Sequence, residues 1–354
     1  MTDERDALRD AVRGLLSRRS DNAAVRAAMT SPTGHDAALW ATLGEIGVAG
    51  LGLPERYGGA GAGLAETCVV AEELGRTLTP APLLGSAVYA AQALLATADE
   101  GACAELLPGI ADGRTLAALA IAGPAGDWTV PACTAAGPIV SGEAHYVLDG
   151  DLADVLLVAA RTEDGVGLFV VETGQPEVRR EARVGMDLTR RFATVRLAGA
   201  RGRRVGGDAG AALRTARELA CVVLAAEQVG AAARCLELTV EYTKTRVQFG
   251  RAIGSFQAVK HRLADLYVQV ETARSIALSA ATAAELTVPA AVAKVHCSEV
   301  FCQVAAEMIQ LHGGIAITWE HDAQLYFKRA YGSAQLFGQP AEFVRSLSSV
   351  ALAG

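Results

Sequence analysis

The chain has 354 residues, of which 51% are apolar and only 5% aromatic, with a formal net charge of −7. That length can bury a large core in two or three domains, and an Ala- and Leu-rich composition suits closely packed helices. The acidic balance, without a run of like charges, argues against a nucleic-acid partner, which would need a basic face. In chain order, Asp3, Glu4, Arg5 and Asp6 open the sequence unlike a signal peptide. Residues 6–19 then carry the spacing of an amphipathic helix, and residues 36–47 read as another. GVAGLGLPERYGGAGAG follows, whose glycines and Pro54 predict a compact loop. Leu64–Arg76 is helical again, and more helix is expected through about Leu107. Near Leu116 the texture changes. The run Leu116–Ala122 and the short runs Tyr146–Leu148, Val155–Ala159, Gly167–Val171 and Ala193–Leu197 alternate with Gly, Asp and Pro. Short strands so spaced predict a small β-barrel or sandwich. From about Asp208 the chain is helical, in four long segments broken at Gly250–Gly254, Thr287–Pro289 and Gly313–Gly314, the pattern of an antiparallel bundle. The expected class is α+β, with domains 1–115 (helical), 116–207 (β) and 208–354 (helical bundle).

The seven cysteines are irregularly spaced, as expected for buried thiols in a reducing, cytoplasmic compartment. Cys297 and Cys302 beside His296 lack zinc-ligand spacing. No uninterrupted apolar run reads as long enough to cross a membrane, and no GxGxxG follows a strand, which speaks against a nicotinamide-type Rossmann domain.

The stretch Tyr242–Ala264 organises the rest. It reads as a helix end, a break bracketed by Gly250 and Gly254, and a new helix with Ser255 as N-cap. Phe256, Val259, Leu263, Leu266 and Val270 form one apolar stripe of that new helix. Arg246, Gln248 and Arg251 stand at the break, where a phosphate would need side-chain cations and amides.

RVQFGRAIGSFQAVKHRLAD, from Arg246 to Asp265, resembles the signature of the acyl-CoA dehydrogenase family of flavoproteins. Leu39–Arg76 with its PERYGG loop is similar to that family's N-terminal helical domain. Gln310-Leu311-His312-Gly313-Gly314, Thr318–Asp322 and Lys328-Arg329 follow in the family's order. The resemblance covers nearly the whole chain. It implies FAD as cofactor, an acyl-CoA substrate and a flavoprotein electron acceptor. It also implies that Arg246, Gln248 and Phe249, with Gln310, Gly313 and Gly314, reach the FAD of a neighbouring subunit.

The reaction needs a carboxylate base at the α-carbon. The family's usual Glu position falls here on Phe337 or Gly338, and its alternative position on Ala220. No catalytic residue is therefore assigned. Glu218, Glu227 and Glu342 are the nearby carboxylates that a relocated base would use. The β-domain's flavin loop is reduced to AIAGPAGDWTVPACT, in which Pro124, Gly126 and Asp127 persist without the usual Thr-Glu and Ser. The half-site given to a neighbour is thus kept while the chain's own site is eroded. This resembles actinobacterial acyl-CoA dehydrogenases that work as heteromers, in which a second subunit carries the Glu. The cluster Arg179, Arg180, Arg183, Arg190, Arg191, Arg196, Arg201, Arg203 and Arg204 is open to two readings, a solvated β-surface or cations for CoA phosphates.

Overall fold

The computed structural model describes residues 2–353. Its elements run, in order, α1 (Thr2–Arg19), α2 (Asn22–Thr30), α3 (Ala37–Glu45), α4 (Leu64–Thr77), a π-helical stretch (Leu83–Ala90) leading into α5 (Ala91–Ala96), and α6 (Glu100–Ala111). Seven strands follow: β1 (Ala117–Ala120), β2 (Cys133–Ala136), β3 (Ile139–Leu148), β4 (Val155–Thr162), β5 (Gly165–Glu172), β6 (Val178–Arg183) and β7 (Phe192–Val205). Then come α7 (Gly210–Thr245), a small hairpin of β8 (Val247–Gln248) and β9 (Arg251–Ala252), α8 (Gln257–Ala281), α9 (Thr287–His312), α10 (Ala323–Gln335) and α11 (Pro340–Ala353). This is the expected sequence of a helical region, a β-region and a second helical region.

The chain forms two compact units, each discontinuous in sequence: residues 28–67 with 80–220, and residues 1–27 with 68–79 and 221–354. In the first, the strands form a barrel. β4 pairs with β5, β5 with β7, β7 with β3, β3 with β2, and β2 returns to β4. The ring closes because two long strands each hold two partners along one edge. β7 gives its first half to β6 and its end to β5, and β4 gives its first half to β1 and its end to β2. A closed sheet leaves no ladder hydrogen bonds unpaired around the ring. Its interior is filled by mostly small residues, among them Ala118, Val140, Ala144, Leu156, Val158, Phe169 and Val195. The loop after α3 is compact as expected. Gly61 N–H donates to Leu53 O at 2.9 Å and Ala60 N–H to Gly50 O at 3.0 Å, so the loop satisfies its own backbone.

In the second unit α9 packs against α8, α10 and α11. α4 crosses α7 through glycines: a Cβ on Gly75 would overlap the Glu227 carbonyl, and one on Gly230 the Glu72 carbonyl. Beside the crossing, the almost fully buried Glu73 accepts two bonds from Arg13, at 2.9 and 2.7 Å, and Glu72 is bonded to Arg9 and Arg274. The last of the four expected segments is two helices, α10 and α11, parted by a turn in which Phe337 has φ +63° and Gly338 φ +116°.

One expectation is corrected. By length and composition α7 and the stretch Thr287–Ile317 are apolar enough to span a bilayer. The α7 window is 83% buried inside the fold, and a helix with partners on several faces needs the same apolar composition as a membrane helix.

Candidate functional site

The corner after α7 is a hairpin, not the simple helix–break–helix expected. The Arg246 amide donates to Tyr242 O at 2.9 Å and its carbonyl accepts from Ile253 N–H at 2.8 Å, which closes the base of the hairpin. Val247 pairs with Ala252 and Gln248 with Arg251. The two linking residues, Phe249 (φ +54°) and Gly250 (φ +77°), both have positive φ, the requirement of a two-residue turn whose twist matches its strands. Glycine meets that requirement freely, but a bulky aromatic there is an outlier. Phe249 is 93% exposed, and its ring meets Phe256 edge-on, with centroids 6.2 Å apart. The Arg251 guanidinium lies 3.9 Å from the Phe256 ring centre, a cation–π contact. Gln248 is exposed, its amide donating to Val247 O next to it. Arg246 is exposed, and its guanidinium has no hydrogen-bond or ion-pair partner among the described residues.

The Ser255 N-cap is a correction as well. The Ser255 hydroxyl donates backwards to Ala252 O at 2.6 Å, and the residue preceding α8 is Phe256, with no side-chain cap. A short 3₁₀ turn, Ile253–Ser255, uses that hydroxyl to hold its own start. Of the expected apolar stripe, Leu266 and Val270 are buried, whereas Phe256, Val259 and Leu263 are half-buried.

The second cluster stands at the end of α9. Gln310 is exposed, Gly313 adopts φ +68° and ψ −152°, and both Gly313 and Gly314 are exposed with nothing within 4 Å of a built Cβ. Backbone so bare can be approached closely by a ligand. The structure joins this cluster to the hairpin: the Tyr242 hydroxyl donates to His312 O at 3.2 Å, across 70 residues of sequence. The assembled donors are thus a free guanidinium, two primary amides, an exposed aromatic face and open glycine backbone. That set suits a ligand with phosphates and an aromatic base.

The positions where the family resemblance leads one to expect the base hold no carboxylate. Ala220 is fully buried on α7, Phe337 is fully buried, and Gly338 is buried beside it. Of the alternative carboxylates, Glu227 is engaged by Arg329 at 3.0 Å, with side-chain exposures of 14% and 5%, and so ties α7 to α10. Glu218 is half-buried on α7, and Glu342 is half-buried in the first turn of α11. Sequence reasoning missed Lys294, which is fully buried. Its ammonium donates to Ala334 O at 2.8 Å, Ser333 O at 3.3 Å and Ser298 Oγ at 3.2 Å, where the α10 dipole ends negative. It therefore holds the helix end from which the Phe337 turn departs. A lysine inside the apolar run AAVAKV was the available signal.

In the flavin loop the surviving residues serve the loop itself. The Asp127 carboxylate accepts from Thr129 Oγ1 and N–H, both at 2.7 Å, and from Val130 N–H at 3.2 Å. The Thr129 hydroxyl, more than the backbone amides, holds that carboxyl below its usual range. Gly126 has φ +76°, and Pro124 O accepts from the Tyr146 hydroxyl at 3.1 Å. These contacts fit a self-contained turn better than a flavin-ring cradle. The arginine cluster divides into separate pairs. Arg191 binds Asp151, Arg196 binds Glu143 and Glu181, Arg203 binds Glu105, and Arg204 binds Asp164. Arg180 donates to Ala153 O at 2.6 Å. Paired arginines spread over the strands match the solvated-surface reading.

The family described as "Acyl-CoA dehydrogenase, N-terminal domain" matches residues 2–114, and "Acyl-CoA dehydrogenase, C-terminal domain" matches residues 210–339. The acyl-CoA dehydrogenase IpdE2 of Mycobacterium tuberculosis is 45% identical over 348 residues, covering 98% of this chain and 97% of that protein. Among solved structures, a variant of the steroid ACAD Tcur3481-Tcur3483 superposes with a TM-score of 0.90 at 32% identity, over 100% of this chain and 99% of the other. The ChsE4-ChsE5 complex from M. tuberculosis has a TM-score of 0.92 at 28% identity, over 100% of this chain and 98% of its own. The chain is a member of the acyl-CoA dehydrogenase family, whose cofactor is FAD.

Proposed function

We propose that this chain is the non-catalytic subunit of a heteromeric, FAD-dependent acyl-CoA dehydrogenase, completing the flavin site of a second, base-carrying subunit. The observation that carries the reading is an asymmetry. Arg246, Gln248 and Phe249 stand exposed beside Gln310, Gly313 and Gly314, with the guanidinium unpaired among the described residues, while Ala220, Phe337 and Gly338 close both expected base positions with apolar side chains or none. Two solved relatives that are named as pairs of gene products are in keeping with it. In α,β-dehydrogenation, bound FAD supplies the acceptor for the β-hydride. Arg246 would pair with the dinucleotide's phosphates, Phe249 would lie against its adenosine part, and Gln310 with the Gly313–Gly314 backbone would close the other side. The partner's carboxylate would take the α-proton of the acyl-CoA.

The assembly expected is a closed tetramer built through the C-terminal helices, where Tyr267, Val268 and Leu278 of α8 are 59%, 63% and 55% exposed. The three-domain division at 115/116 and 207/208, a cytoplasmic location and a flavoprotein electron acceptor belong to the same reading. The steroid enzyme among the relatives favours a bulky acyl group. The second reading is a homomeric enzyme with Glu218 or Glu342 as a relocated base. Glu227 is the weaker candidate, being spent on Arg329.

Purification alone and after co-expression with a base-carrying acyl-CoA dehydrogenase chain tests the proposal. The isolated chain should show no turnover with added FAD and an electron acceptor, and flavin should appear only in the complex. A general base contributes about 10²–10⁴ in rate. Robust turnover by the isolated chain would therefore contradict the reading and promote the relocated base, which Glu218→Gln and Glu342→Gln would then resolve.

A further inference from the structure

The two parts of the donated half-site come from ends of different helices, and something must set their separation. Packing around the glycines does not: nothing lies within 4 Å of a Cβ built on Gly313 or Gly314. What does lie between them is a stack of rings. Tyr242, in the last turn of α7, places its ring on the His312 imidazole with centroids 4.2 Å apart and planes 25° from parallel. Its hydroxyl donates to the His312 carbonyl at 3.2 Å, the carbonyl of the peptide that runs directly into Gly313.

His312 is fixed in turn. It is 5% exposed, and its Nδ1 lies 2.8 Å from Met308 O. A carbonyl only accepts, so Nδ1 carries the hydrogen. The same imidazole meets the His321 ring at 4.8 Å, and His321 Nδ1 accepts from Ala323 N–H at 3.1 Å at the start of α10. The stack therefore pins the end of α7, the end of α9 and the start of α10. At its α7 end, the Tyr242 carbonyl accepts from the Arg246 amide at 2.9 Å. Moving the Tyr242 ring would move the base of the hairpin that carries Arg246 and Phe249.

We propose that Tyr242 and His312 are positioning residues of the donated flavin half-site, acting as a ring joint that sets where Arg246 stands relative to the Gly313–Gly314 backbone. Neither side chain need touch the flavin nucleotide. The inference rests on the half-site reading above. A hydroxyl that holds a carbonyl and a ring that holds an imidazole make separable contributions, and that separation provides the test.

The apo complex with the base-carrying partner is titrated with FAD by flavin fluorescence, as wild type, Tyr242→Phe, Tyr242→Leu and Arg246→Ala. Gel filtration and a thermal melt of each report assembly and folding. Tyr242→Phe keeps the stack and loses one ordinary hydrogen bond, so FAD should bind about fivefold more weakly. Tyr242→Leu loses the stack as well and should bind at least about tenfold more weakly than Tyr242→Phe, aromatic pairing adding to the bond. The partial rescue by Phe, at unchanged assembly, is the signature of positioning. If both Tyr242 variants bind FAD as the wild type does while Arg246→Ala loses it, the ring joint is overturned and the half-site stands. If Arg246→Ala also binds normally, the half-site reading falls and takes this inference with it. Should Tyr242→Leu fail to assemble, Tyr242→Phe decides alone: about fivefold weaker binding supports the joint, and an unchanged constant overturns it.

Discussion

Phe249 is held where a β-carbon is unwelcome, at φ +54° on a hairpin tip and with 93% of its surface in solvent. A left-handed conformation costs an ordinary residue roughly 1–2 kcal/mol, and a ring so exposed gains little burial to offset it beyond its edge-on contact with Phe256. Strain kept at an exposed position points to a use outside the free chain. Asn before Gly is the pair such a turn favours. Phe249→Asn should therefore stabilise the isolated chain by about 1 kcal/mol while weakening flavin retention in the complex. Urea midpoints and flavin content measure the two effects, and a variant that loses stability would contradict the account of the turn. Two histidines give a pH dependence. Burial holds the imidazoles of His312 and His35 below their ordinary value of 6.5, the carbonyls of Met308 and Thr33 opposing it. A depressed histidine makes the unfolded chain bind the proton first. As pH falls below 6.5, stability should drop until the folded values are passed, and then level. His35→Asn and His312→Asn should each flatten that slope in unfolding measured between neutral and mildly acid pH. An unchanged slope in both would contradict it.

At the scale of elements, the crossing of α4 on α7 depends on two missing side chains. A methyl on Gly75 would overlap the Glu227 carbonyl, and overpacking of that kind costs typically about 1–3 kcal/mol. Gly75→Ala should lower the urea midpoint accordingly. Gly174→Ala, where nothing lies within 4 Å of the added carbon, should change stability by less than about 0.5 kcal/mol. Equal effects would mean the helices do not meet through Gly75. The elements also mark how far the sequence could be read. β1, β4, β5 and the core of β7 were legible as apolar runs because the barrel buries them: β4 is buried without a break from Val155 to Ala160. β6, VRREAR, was not, since it lies largely exposed along one edge of β7 and carries charge instead of apolar alternation. The hairpin β8–β9 was hidden because each strand has two residues and its turn begins with Phe, which no propensity places at positive φ. Ser255 looked like a cap, but a 3₁₀ turn took its hydroxyl first. The break between α10 and α11 did have signals in the sequence, Gly338 at the turn and Pro340 as the first residue of α11.

For the whole molecule, two motifs far apart in sequence, Arg246–Gly250 and Gln310–Gly314, are tied together in one compact unit by the Tyr242–His312 contact. That juxtaposition could be anticipated only from the family resemblance, since neither motif has a periodicity that points to the other. That Ala220, Phe337 and Gly338 offer no carboxylate was legible residue by residue, whereas Lys294, which clamps the end of α10 ahead of Phe337, was not. In the proposed heteromer, this chain lends a flavin half-site to a partner that does the proton transfer. The most direct measurement is flavin content per complex after gel filtration, wild type against Arg246→Ala. A hydrogen bond to a charged group is worth about 1.5–3 kcal/mol, so the variant should hold FAD roughly ten- to a hundredfold more weakly and emerge assembled but depleted of flavin, with Arg246→Lys recovering only part of it. Equal flavin in wild type and Arg246→Ala, with assembly intact, would contradict the claim.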